Sequence, residues 1–141
     1  MANAVAGLQR RIDAGSWPLA VGDLVALAAV FSAGAARHNG AAYLLDNPAY
    51  WATTLLPFLL GWVVAAPLLG AYSPGAVEST KSAVPLALRA WVVADVVALA
   101  LRASPLFHGG VQPVFVLVTL VSGAVGLGLW RWLFFRIRRG R

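Results

Sequence analysis

The sequence predicts an all-α polytopic membrane protein, an antiparallel bundle of four transmembrane helices, and three observations carry that prediction. Hydrophobic residues fill 60% of the 141 positions and charged residues 11%, with a mean hydropathy of +0.77; a soluble domain carries about 25% charged residues. Four intervals are apolar over the roughly 20 residues a helix needs to cross a hydrocarbon core about 30 Å thick. The basic residues gather at alternate segment ends, as the bias of cytoplasmic loops toward Arg and Lys requires.

The first span, about 18–36, follows a cytoplasmic segment 1–17 and contains PLAVGDLVALAAVFSAGA. Arg10, Arg11 and the later FSAGAA imitate a cleavable signal peptide, but Asp23 inside the apolar run and the length of that run favour a retained helix. The second span, 51–72, lies in a charge-free interval between Asp46 and Glu78, and Pro57 and Pro67 should bend it and free a carbonyl or two. The third covers 84–102. The fourth, 111–135, is uncharged up to Trp130 and runs into a basic tail, 136–141.

The joins RHNGAAYLLDNPAY, SPGAVESTKSAVP and SPLFHGGVQP hold the Pro, Gly and Asn of chain breaks. They are short, so consecutive helices should be antiparallel neighbours. With both termini in the cytoplasm, Arg10, Arg11, Lys81, Arg131, Arg136, Arg138, Arg139 and Arg141 fall inside, while Arg37 and Arg102 fall at the outer ends. That is the orientation of a multi-pass cell-membrane protein under the positive-inside rule, and its asymmetry argues against a dual-topology exporter of the small multidrug class. There is no internal repeat.

Several chemistries drop out. The chain has no cysteine, which excludes disulfide exchange, thiolate catalysis and Cys-held metal clusters. No lysine lies within a span, no Ser, His and Asp share a depth, and no Gly-rich phosphate loop is present, so no catalytic residues are assigned. His38 and His108 both fall at the outer end, the side from which two histidines could ligate haem or a metal. Neither has a carboxylate at ligand spacing, so no metal and no cofactor are expected. The basic tail reads as a topology signal; nucleic acid is not an expected partner.

Ionisable groups within a span cost about 2.5–3.5 kcal/mol each on insertion scales, so they snorkel, pair or line a polar site. Asp23, Arg89 and Arg131 share one depth near the cytoplasmic ends. Side chains lean toward the N-terminus of their helix, so Asp23 and Arg89 lean toward water while Arg131 leans into the membrane. Arg131 therefore needs a partner, and Asp23 is the acid at its level. A second, outer cluster is expected from Asp95, Arg102, His38 and Arg37. Asp95 lies two thirds of the way through its span, Arg102 is two turns further on nearly the same face, and Thr54 is a candidate hydroxyl. Trp17, Trp51, Trp130 and Trp132 stand at span ends as interfacial anchors, whereas Trp62 and Trp91 read as packing residues. The pairs Ala28 and Ser32, Gly61 and Ala65, and Ser122 and Gly126 permit close helix approach.

On GDLVALAAVFSAGAARHNG, LLPFLLGW, RAWVVADVVALALR and GLWRW, spread over residues 20–132, the chain resembles an uncharacterised prokaryotic four-helix membrane family, domain of unknown function 3054. The resemblance implies Asp23, Arg37, His38, Pro57, Trp62, Trp91, Arg102 and Arg131 as marked positions. It brings no activity with it, and Asp95 is not among those positions.

The first functional expectation is an oligomeric transport or permeation unit for a small solute or ion, with Asp95, Arg102 and His38 around a polar pocket. The alternative is a non-catalytic assembly or partner-binding subunit whose buried charges are structural; an enzyme ranks third. The expected partners are the lipid bilayer, anionic headgroups at the basic tail, and a second copy or another membrane subunit.

Overall fold

Proline and glycine divide the chain where the breaker-rich joins predict. The computed structural model describes residues 12–139; Arg10, Arg11 and Arg141, and most of the 1–17 segment, lie outside the described residues. Helix α1 (Trp17–Asn39) follows a 3-10 turn (Ala14–Ser16) and has Pro18 in its first turn, where a missing N–H costs no hydrogen bond. A short α2 (Ala41–Asp46) leads into α3 (Pro48–Leu68), which also starts on proline. After a second 3-10 turn (Pro74–Val77), α4 spans Thr80–Ala103 and α5 spans Pro113–Arg139. Helices α1, α3, α4 and α5 are long and apolar enough to cross a membrane. The protein is an all-α membrane protein.

Several helix ends differ from the hydropathy bounds by three or four residues, and local chemistry explains the end of α3. The second span does not continue to residue 72. Gly70 takes a positive φ of 83°, and the Ala71 N–H bonds back to the Ala66 carbonyl at 3.0 Å. This left-handed glycine stop ends α3 and leaves Ala71 and Tyr72 in a turn folded under the bundle. The third span starts at Thr80 rather than 84, because hydropathy does not register the polar first turn TKSA.

Neighbouring helices run antiparallel around the ring α1–α3–α4–α5, and α5 closes it against α1. The α4 face toward the core is an alanine stripe, Ala83, Ala87, Ala90, Ala94 and Ala98, all fully buried. Gly61 of α3 rests on the backbone of Ala94. Lipid supplies little hydrophobic drive between helices, so such close approaches gain dispersion contacts instead. Gly123 seats the Trp91 indole and Gly22 seats that of Trp130.

At mid-depth the interior is aromatic. Phe31 and Phe58 stack with ring centroids 4.2 Å apart; Trp91 lies 5.8 Å from Phe31 and 6.5 Å from Trp62. Phe58, Trp62 and Trp91 are 0–1% exposed. Outside, Val21, Val25, Val63, Val92, Val96, Val121, Val125 and Leu129 are exposed, which suits a surface whose solvent is lipid.

Candidate functional site

Polar side chains enter this interior at two levels, one on each side of the aromatic layer. The near level lies at the end that holds the start of α1 and the end of α5. Arg131 and Asp23, both 0% exposed, form a bidentate pair: Nε donates to Asp23 Oδ1 at 3.1 Å and Nη2 to Oδ2 at 2.7 Å. The guanidinium also donates through Nη1 to the Ala83 carbonyl at 2.9 Å and through Nη2 to the Ala71 carbonyl at 3.0 Å. Tyr72 donates its hydroxyl to Asp23 Oδ2 at 2.9 Å and accepts from Trp62 Nε1 at 2.7 Å.

One guanidinium thus ties together α1, α4, α5 and the turn after α3. The planar fork of arginine suits this role and an ammonium would not, since it matches the carboxylate with one edge and reaches two carbonyls with the rest. The glycine stop at Gly70 is what brings the Ala71 carbonyl and the Tyr72 ring under the bundle. Burial, and after it the Asp23 carboxylate, hold the Tyr72 hydroxyl well above the ordinary tyrosine value of 10.0, so it remains a donor. The same turn is pinned from outside, where the Asp13 N–H bonds the Tyr72 carbonyl at 2.7 Å.

Arg89, expected at this level, is exposed and donates to the Leu69 carbonyl at the end of α3. It caps a helix and takes no part in the pair. A cation near the last carbonyls of a helix is favoured by the helix dipole.

The far level does not assemble as the spacing suggests. Asp95 is 2% exposed. Its Oδ2 lies 3.0 Å from the Thr119 hydroxyl of α5, and Oδ1 has no hydrogen-bond partner. Arg102 does not turn toward it: Nε donates to the Gly110 carbonyl at 3.0 Å, and the cation lies 4.2 Å from the Phe115 ring centroid. Seven residues are about 10 Å of helix rise, more than the side chain bridges. The loop is nearer, because at Gly109, with φ of 103°, a side chain would collide with the Arg102 guanidinium. Thr54 bonds the Tyr50 carbonyl at 2.9 Å, and Arg37 and His38 are exposed at the end of α1. His108 stacks on Tyr50 at 4.6 Å and shares a 3.0 Å hydrogen bond with Thr53.

Sequence reasoning did not anticipate Tyr72 or Thr119 as partners of the buried acids, nor Trp62 as the donor to Tyr72. Thr119 left a readable trace, a hydroxyl inside the apolar run VFVLVTLV. Tyr72 left none, because its place depends on the glycine stop two residues earlier.

A family model described as "Protein of unknown function (DUF3054)" matches residues 20–134. No curated protein and no solved structure matches the chain. The match covers most of the sequence, including both members of the Asp23–Arg131 pair and all or most of each of the four long helices, and the chain belongs to this family.

Proposed function

We propose that this family member is a non-catalytic membrane assembly subunit, a bundle that works through its lipid-facing surface and whose buried charges hold its own helices in register. The aromatic layer carries the reading. Phe31, Phe58, Trp62 and Trp91 occupy the bundle axis between the two polar levels, where a solute crossing within one copy would have to pass. The Arg131 network supports it as well, because the fully buried guanidinium spends its donors on Asp23 and on the Ala71 and Ala83 carbonyls, an arrangement suited to setting helix register. Loop charge favours a multi-pass protein of the cell membrane with both termini cytoplasmic. The occupants of its surface are lipid and a second copy or another membrane subunit.

Photocrosslinking in the native membrane tests this. A photoreactive side chain at the exposed Val25 or Val121 should give one discrete protein adduct, and a probe at buried Ala94 should give none. Lipid adducts alone at every exposed position would refute an assembly role.

A second reading, an oligomeric transport or permeation unit, has one observation in its favour: the Asp95 oxygen without a partner. In proteoliposomes it requires proton or ion flux above the empty-vesicle leak that Asp95→Asn abolishes. The assembly reading expects wild type and variant both to match the leak.

A further inference from the structure

At the near end, the last turns of α5 stand beside the first turn of α4, and Thr80, Trp132, Arg136 and Arg139 line an open cavity of about 390 Å³ between them. Residues 132, 136 and 139 share one helix face through their spacing of four and three. The Arg136 cation sits 5.4 Å from the Trp132 ring centroid, a cation–π contact that fixes where the guanidinium points. Among the described residues, neither arginine forms an ion pair with a carboxylate. The first turn of α4 carries no acid, and the exposed Glu78 just before its N-cap forms no ion pair with either arginine among the described residues.

We infer that this cavity is a binding site for the phosphate of an anionic phospholipid headgroup. Two guanidinium forks and a threonine hydroxyl supply donors that suit phosphate oxygens. The lipid source follows from what flanks the cavity: Trp132 is the ring type that settles at headgroup depth, and Leu129, Leu133 and Ile137 are exposed beside it on α5, where acyl chains would lie. Thr80 and Trp132 fall within the family match and Arg136 and Arg139 just beyond it.

A general attraction between a basic tail and an anionic surface is the competing account, and Arg138 separates the two. It belongs to the same tail, but its cation packs 5.5 Å from the Phe134 ring centroid and it does not line the cavity. The experiment uses the full chain in nanodiscs of phosphatidylcholine doped with phosphatidylglycerol, reading retained lipid by native mass spectrometry. Wild type should retain phosphatidylglycerol about tenfold over phosphatidylcholine after correction for abundance. Arg136→Gln with Arg139→Gln should bring that ratio near one, and Arg138→Gln should leave it unchanged. Equal losses from Arg138→Gln, or no preference in wild type, would overturn the site. If the double variant does not fold, Arg139→Gln alone should still lower the ratio severalfold, and its failure to do so counts equally against the site. Millimolar inorganic phosphate should not displace the lipid; displacement would assign the cavity to a soluble anion instead.

Discussion

Replacing Arg131 or Asp23 is the sharpest perturbation the structure offers, since the pair is buried and bidentate. Removing one member of a buried pair leaves the other charge uncompensated, at a cost of about 3–5 kcal/mol. Arg131→Met and Asp23→Leu should each therefore lower unfolding free energy by about that amount. The double variant leaves no charge behind, only the Tyr72 hydroxyl without its acceptor and the Ala71 and Ala83 carbonyls without the guanidinium. At about 1–3 kcal/mol for a buried group left wholly unsatisfied, and less for Ala83, whose carbonyl lies within α4, the double variant should lose about 2–4 kcal/mol. Simple addition would give about 6–10 kcal/mol, so the coupling is at least about 2 kcal/mol. A charge swap, Asp23→Arg with Arg131→Asp, should rescue only part of the loss, because an aspartate at 131 cannot donate to Ala71 and Ala83. Equilibrium unfolding in mixed micelles, followed by tryptophan fluorescence, measures all four variants. Additivity of the two single changes to within about 0.5 kcal/mol would refute the argument.

Three further outcomes follow from the same geometry. Gly123→Ala puts a methyl group into the Trp91 indole, whereas Gly34→Ala meets nothing within 4 Å; the first should cost about 1–3 kcal/mol by overpacking and the second should gain up to about 1 kcal/mol of helix propensity, read as opposite shifts in Tm. Thr119→Val leaves neither Asp95 oxygen with a hydrogen bond and should destabilise by about 1–3 kcal/mol, whereas Thr119→Ser should be close to wild type in the same unfolding assay. The Tyr72 hydroxyl sits above its unfolded value of 10.0 in the folded state, so its contribution is complete below pH 10 and is lost as pH rises beyond it. Wild type should lose stability above that pH more steeply than Tyr72→Phe, and parallel pH profiles would contradict the buried phenol.

Depth along the membrane normal is legible in this sequence, and rotation about each helix axis is not. Counting from the span ends puts Asp23 and Arg131 at one level, where Arg131 needs a partner and Asp23 is the acid at hand; in the structure their side chains meet. The same count puts Arg102 above Asp95 on nearly one face, and there the side chains part. A helix that is apolar all round carries no polar stripe to say which way it faces, so hydropathy fixes where α4 crosses and leaves its facing open. Loop geometry then decides. Gly109 and Gly110 offer Arg102 a carbonyl and a gap beside an aromatic ring, and the short range of a hydrogen bond favours that neighbour over an acid two turns away.

The two buried acids also differ in what the rest of the chain supplies around them, and that difference sets their roles. Asp23 meets a guanidinium, a phenol held as a donor and, through Arg131, the Ala71 carbonyl in the turn after the glycine stop and the Ala83 carbonyl of α4. Its environment is built from four segments, and a change in any of them is felt in all. Asp95 meets one threonine hydroxyl, which also lies 3.1 Å from the Val116 carbonyl. A hydroxyl has one proton to give, so when it is donated to Val116 neither Asp95 oxygen receives a donor. Carbodiimide modification distinguishes the two acids, because this reagent partitions into lipid and attacks protonated carboxyl groups. Asp95 should be labelled and Asp23, locked in its bidentate pair, should be spared. Equal labelling of both would mean that the near-level pair opens on the timescale of the reaction and does not hold the helices in register.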